Sequence, residues 1–86
     1  MPTAESQMTL EQLPPGTLAT IVRVGGEKTT RRRFLDMGLV TGETVRVQRV
    51  APLGDPIEIF VKGYYLSLRK HEAREILVEV SHVEPS

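Results

Sequence analysis

The chain has 86 residues, eleven Lys and Arg against eleven Asp and Glu, and no cysteine. Such a length makes one small domain that buries about 60% of its unfolded surface, enough for a barrel or sandwich core but not for a deep substrate cavity as well. The charge balance speaks against wholesale nucleic-acid binding, and the missing cysteine excludes disulfides, thiolate metal sites and cysteine nucleophiles.

In chain order, residues 1–8 read as a polar, flexible tail without the basic start and apolar run of a signal peptide. Apolar runs such as Ile76-Leu77-Val78 are too short to span a bilayer, so the expectation is a soluble cytoplasmic protein. Thr9-Leu10-Glu11-Gln12 has the spacing of a capping box, and Leu13-Pro14-Pro15-Gly16 ends that turn. Leu18 to Val24 is rich in β-branched residues and predicts a strand whose inward face is ambiguous, broken by Gly25-Gly26.

A helix is predicted from about Thr30 to Met37. Gly38 stands where a left-handed residue closes it, with Leu39 able to fold back onto Phe34. Val40-Thr41-Gly42-Glu43 then places glycine where a type II turn needs positive φ. In the next strand, Glu43 to Val50, Val45 and Val47 share a face while Val50 is out of phase, which predicts a bulge near Gln48-Arg49.

After a loop rich in Pro and Gly at 51–56, Ile57 to Val61 and Tyr64 to Leu68 flank Lys62-Gly63 as a two-residue hairpin. That register pairs Val61 with Tyr64, Ile59 with Leu66 and Ile57 with Leu68 on one apolar face, expected to be core. It also sets Phe60 across from Tyr65 on the opposite face, an outward aromatic pair. One or two helical turns at 70–75 precede a last strand, 76–80, with Ile76, Val78 and Val80 inward. Five short strands with tight turns and stub helices predict an all-β fold, a small closed barrel.

The order of these motifs resembles the FeoA family. It runs through Leu10-x-x-Leu13-x-x-Gly16, Arg32-Arg33-Phe34-Leu35-x-Met37-Gly38-Leu39-x-x-Gly42 and Gly54-Asp55-Pro56-Ile57, then Gly63 and Leu66-x-Leu68-Arg69, and ends with Glu72-Ala73-x-x-Ile76-x-Val78. The chain departs from the family pattern at Thr41, where a proline commonly precedes the turn glycine. The resemblance implies an SH3-like barrel of about five strands with two or three short helices. It spans residues 9–81, between an N-terminal tail at 1–8 and a C-terminal tail at 82–86. It further implies a cytosolic accessory protein of bacterial ferrous iron uptake acting on FeoB, the membrane GTPase permease. An alternative is a stand-alone metal-sensing or regulatory domain related to the C-terminal domain of iron-dependent repressors.

Three groups of residues are candidates for function. Phe60, Tyr65 and Leu53 would form an exposed apolar cluster of the kind that marks a partner site, unless a loop or a second copy of the chain covers them. Lys28 with Arg31, Arg32 and Arg33 would bind a phosphate, an acidic partner surface or a nucleotide on a GTPase, or else RNA; an arginine finger is conceivable, but consecutive helical residues point about 100° apart and a structural or general-interface role is the simpler reading. His71 and Glu75 lie four apart, yet two ligands do not make a metal site, and no metal, cofactor or catalytic residue is expected. Ser67 with His71 has no acidic orienter or oxyanion motif, so no enzyme is predicted.

Overall fold

Alternating buried and exposed positions along short β-branched runs build six strands among the described residues, 7–83, of the computed structural model. They are β1 (Gln7–Thr9), β2 (Thr17–Val24), β3 (Thr44–Val50), β4 (Ile57–Val61), β5 (Tyr64–Leu68) and β6 (Ile76–Val83). A 3-10 turn at Leu10–Gln12 and two helices, α1 (Lys28–Asp36) and α2 (Lys70–Ala73), interrupt them. The strands form one antiparallel sheet in the order β1-β6-β2-β3-β4-β5. It curls around a single core of Ala19, Ile21, Val45, Val47, Ile57, Ile59, Val61, Leu68, Ile76 and Val78, closed by Phe34 of α1, Leu10, Leu13, Leu39 and Ala73.

The sheet bends where its pairing slips. In β3 the register with β4 shifts between Val47 and Arg49, so Gln48 is the bulged residue and Val50 returns opposite Ile57. That is the slip the valine phasing predicts. In β2 a second shift, between Ile21 and Arg23, explains why its inward face is unreadable from sequence: Ala19 and Ile21 face the core, then Val24 does. Bulges add twist and curvature, and six short strands need both to enclose so small a core.

The β4–β5 hairpin has the predicted register, residue for residue. Its turn is type I′: Lys62 at φ 51° and Gly63 at φ 86° both occupy the left-handed region. Tyr64 departs from the expected core face, being 41% exposed. It follows the turn at the sheet's end, and its hydroxyl donates a hydrogen bond to the Met37 carbonyl at the end of α1. A phenol with its ring half covered and its oxygen bonded suits such a rim position. Leu66 is partly buried against the core.

Helix α1 starts two residues before the expected Thr30, with Glu27 as the extended N-cap residue and the Arg31 N–H bonded to the Glu27 carbonyl at 2.8 Å. It ends as the glycine predicts. Leu39 N–H donates to the Phe34 carbonyl and Gly38 N–H to the Leu35 carbonyl, both at 3.0 Å, with Gly38 at φ 93°. These are the two bonds of a Schellman cap, and Phe34 and Leu39, its apolar pair, are fully buried. Glu43 N–H then closes the next turn onto the Val40 carbonyl at 3.0 Å, with Gly42 at φ 94°.

Both expected tails are shorter than their sequence boundaries. Gln7 and Met8 pair with Glu79 and Val78, and β6 continues to Val83, opposite Thr17. A three-residue edge strand carries too few positions to show a period of two. The rest of the expected tails, 1–6 and 84–86, lies outside the described residues. At the start of the domain Gln12 Oε1 accepts from the Thr9 N–H at 2.9 Å, the reach-back of the predicted capping box, and from the Thr9 hydroxyl at 3.1 Å. Thr17, polar and buried, donates its hydroxyl to the Pro14 carbonyl at 2.7 Å.

Candidate interaction surface

The outward positions of β2 to β5 line up across the sheet. Leu18 lies opposite Arg46, Arg46 opposite Phe60, and Phe60 opposite Tyr65. Arg46 and Phe60 point outward because their chain neighbours, Val45, Val47, Ile59 and Val61, are buried, and side chains alternate along a strand. The two rings sit 5.0 Å apart at 60°, a tilted aromatic pair. The Arg46 guanidinium carbon lies 5.4 Å from the centre of the Phe60 ring, and its Nη2 donates to Gln48 Oε1 at 3.2 Å. Phe60 is thus held between a cation and a second ring and is half-buried, whereas Tyr65 is 54% exposed. Beside it a shallow groove of about 260 Å³ is lined chiefly by Leu18, Thr44, Arg46, Phe60 and Lys62.

The structure therefore joins Phe60 and Tyr65, as the hairpin register predicts, and adds Leu18 and Arg46. Sequence reasoning missed those two because it paired β4 with β5 only; the alternation Val45-Arg46-Val47 did signal that Arg46 faces outward. Leu53 does not join the cluster. It is 95% exposed on the 51–56 loop, which enters β4 at Ile57, and Phe60 is three residues on, about 10 Å at the strand rise.

The three consecutive arginines have different surroundings. Arg33 forms an ion pair with Glu72, tying α1 to α2, and its guanidinium carbon lies 5.8 Å from the Phe34 ring centre. Arg31 and Arg32 are exposed, and among the described residues neither has an ion-pair partner. Their roles diverge within a single turn of helix, because the side chains leave the axis in three directions.

Between the start of α1 and α2 lies a cleft of about 480 Å³ lined by Glu27, Thr30, Arg33, His71, Glu72, Arg74 and Glu75. His71 and Glu75 both reach it, but α2 is a single turn ending before Arg74, so they do not share one continuous helix. Arg74 donates to Glu11 at 2.9 Å through Nε and 3.4 Å through Nη2. That hydrogen bond first, and then the Glu11 charge, raises the pKa of a guanidinium already protonated at any physiological pH. Among the described residues no three His, Asp or Glu side chains gather as metal ligands. Ser67 faces Glu58 across the hairpin and lines a groove with Val50, Pro52 and Pro56, apart from His71. No helix among the described residues is long and apolar enough to cross a membrane.

Comparison with known proteins places this geometry. A family model described as the FeoA domain matches residues 8–80. A fusion of Fe(2+) transport protein A with the Fe(2+) transporter FeoB from Porphyromonas gingivalis is 44% identical over 73 residues, covering 85% of this chain and 9% of the fusion. The chain thus spans less than a tenth of that relative. The FeoA-like protein of Clostridium acetobutylicum superposes with a TM-score of 0.83 at 36% identity, covering 94% of both chains. Zinc-complexed FeoA from Stenotrophomonas maltophilia, described as a procaryotic SH3 domain protein, gives 0.75 at 33% identity over 84% of this chain and 89% of that one. T. acidophilum IdeR shares the fold alone, with a TM-score of 0.79 at 22% identity over 94% of this chain and 36% of that one. With the barrel SH3-like and the family model spanning β1 to β6, the chain belongs to the FeoA domain family.

Proposed function

We propose that the chain is a cytoplasmic accessory protein of ferrous iron transport, a binding module that docks on the cytoplasmic part of the transporter FeoB and modulates it. The observation that carries this reading is the P. gingivalis fusion, in which a region 44% identical to this chain is covalently joined to the transporter. Two activities fused in one chain in one organism commonly act at close range when separate, because fusion replaces association with a high effective concentration.

Phe60 and Tyr65 are the contact residues, with Arg31, Arg32, Arg33 and Leu53 as flanking ones. A tilted aromatic pair braced by Arg46 is rigid before binding, so it gives contact area at small entropic cost. On this reading the chain works by binding rather than by catalysis.

Calorimetry with the purified chain and the cytoplasmic region of its FeoB, with and without a GTP analogue, tests the reading. Saturable binding is expected, and Phe60→Ala with Tyr65→Ala lowers affinity by about 2 kcal/mol or more while the fold persists. Unchanged affinity in the double variant removes the aromatic pair from the interface. No binding in either nucleotide state removes the direct contact with FeoB.

A further inference from the structure

We infer that the outer stripe of α1, formed by Lys28, Arg31, Arg32 and Leu35, docks an acidic segment of the partner that also offers an apolar side chain to Leu35. This deepens the transporter reading and rests on it.

The stripe follows from helical geometry. At 100° per residue these four side chains fall within an arc of about 100°. They lie opposite Phe34, which is buried, and Thr30 and Met37, which are partly so. All four are exposed, Leu35 at 44%. Asp36 borders the stripe without pairing to it.

Most of the other Lys and Arg side chains are matched, Arg23 of β2 and Lys70 of α2 being the exceptions among the described residues. Arg33 pairs with Glu72, Arg49 with Glu58 at 3.6 Å, Lys62 with Glu43 at 3.0 Å, Arg69 with Asp55 at 3.7 Å and Arg74 with Glu11 at 2.9 Å. Arg46 lies over Phe60. Among the described residues Lys28, Arg31 and Arg32 have no such partner, and they are adjacent on one face of one helix. In a chain of zero formal net charge this is a local positive field rather than a general one. An apolar side chain ringed by cations is the reverse image of an acidic amphipathic segment, with arginine among the residue types enriched at protein interfaces. Three cations fall short of the clusters of roughly four to eight that hold a protein on anionic lipid, so a protein segment fits better than a bilayer.

The test titrates wild type, Arg31→Glu/Arg32→Glu and Arg31→Gln/Arg32→Gln into the cytoplasmic region of FeoB at low and high salt. Wild-type affinity should fall as salt rises. The Glu pair should bind at least about tenfold more weakly at low salt, the Gln pair less so, and both should lose most of the salt dependence. Among the described residues neither side chain has a partner, so thermal midpoints should match the wild type; if the Glu pair fails to fold, the Gln pair decides. Wild-type binding that both variants retain in full overturns this inference and leaves the transporter reading standing. Absence of wild-type binding overturns both. Co-sedimentation of the wild type with phosphatidylglycerol vesicles, lost in the Glu pair while transporter binding is intact, assigns the stripe to lipid and also overturns it.

Discussion

Helix α1 and the β4–β5 hairpin each present one face to the core and one to solvent, and they do so in opposite ways. The hairpin buries Ile57, Ile59, Val61 and Leu68 to 1% exposure or less, while α1 buries Phe34 alone. Outside, the hairpin's aromatic pair is satisfied from within the fold, with Phe60 held between Arg46 and Tyr65. The outer stripe of α1 has no partner of its own among the described residues. A surface that is already braced is rigid and shape-specific, whereas an unmatched charged stripe acts through its field. On the proposed reading the two faces would take different parts of one interaction, contact area for the first and steering for the second.

Substitutions ordered by their effect on stability sharpen that contrast. Phe34→Ala removes the single buried anchor of α1 and should cost about 3–5 kcal/mol in urea unfolding. A loss below about 1 kcal/mol would show that α1 is held by its capped end rather than by its core face. Gly38→Ala follows, at about 1–2 kcal/mol, because φ 93° is a left-handed position. Its new Cβ would also lie 3.0 Å from Lys62 Cδ, a flexible stem able to move aside. Tyr64→Phe deletes the hydroxyl that links the hairpin tip to the Met37 carbonyl, and should cost about 0.5–1 kcal/mol. At the small end, Arg31→Glu/Arg32→Glu should leave unfolding within about 0.5 kcal/mol of the wild type, while its binding falls. A large stability loss there would mean the stripe is structural, and the contrast between the two faces would collapse.

The Tyr64 and Gly38 substitutions probe the same joint from two sides. Lys62 reaches over Gly38 and pairs with Glu43, and Tyr64 bonds to Met37, so the hairpin tip grips the end of α1. Tyr64 and Met37, 27 residues apart in the chain, thereby fix the helix relative to the sheet. If both substitutions are mild singly but more than additive together, the tip and the cap act as one unit.

Local chemistry was legible in the chain wherever one residue type has few conformational choices. Gly38 demanded a helix stop, Gly42 and Gly63 demanded turns, and the hairpin register followed from a two-residue loop with alternating neighbours. The bulge at Gln48 was readable because Val50 broke a period of two. The aromatic pair was readable for the same reason, as a consequence of register. In β2 the same logic failed, since Thr17 to Val24 is apolar or β-branched at nearly every position and several phases fit equally well.

What depended on contacts between distant segments was decided only in three dimensions. Pairing of β3 with both β2 and β4 set Leu18 and Arg46 beside the aromatic pair, and a three-residue β1 gained its place from the free edge of β6. Arg33 was separated in role from Arg31 and Arg32 by Glu72, which lies far along the chain and is supplied by α2. Leu53 was detached from Phe60 by the length of β4. Turns and registers are short-range properties fixed by φ restrictions and side-chain alternation, so the sequence by itself determined them. Which cation meets which carboxylate, and which outward side chains become neighbours, depends on how the curled sheet brings remote segments together, and only the tertiary structure decided that.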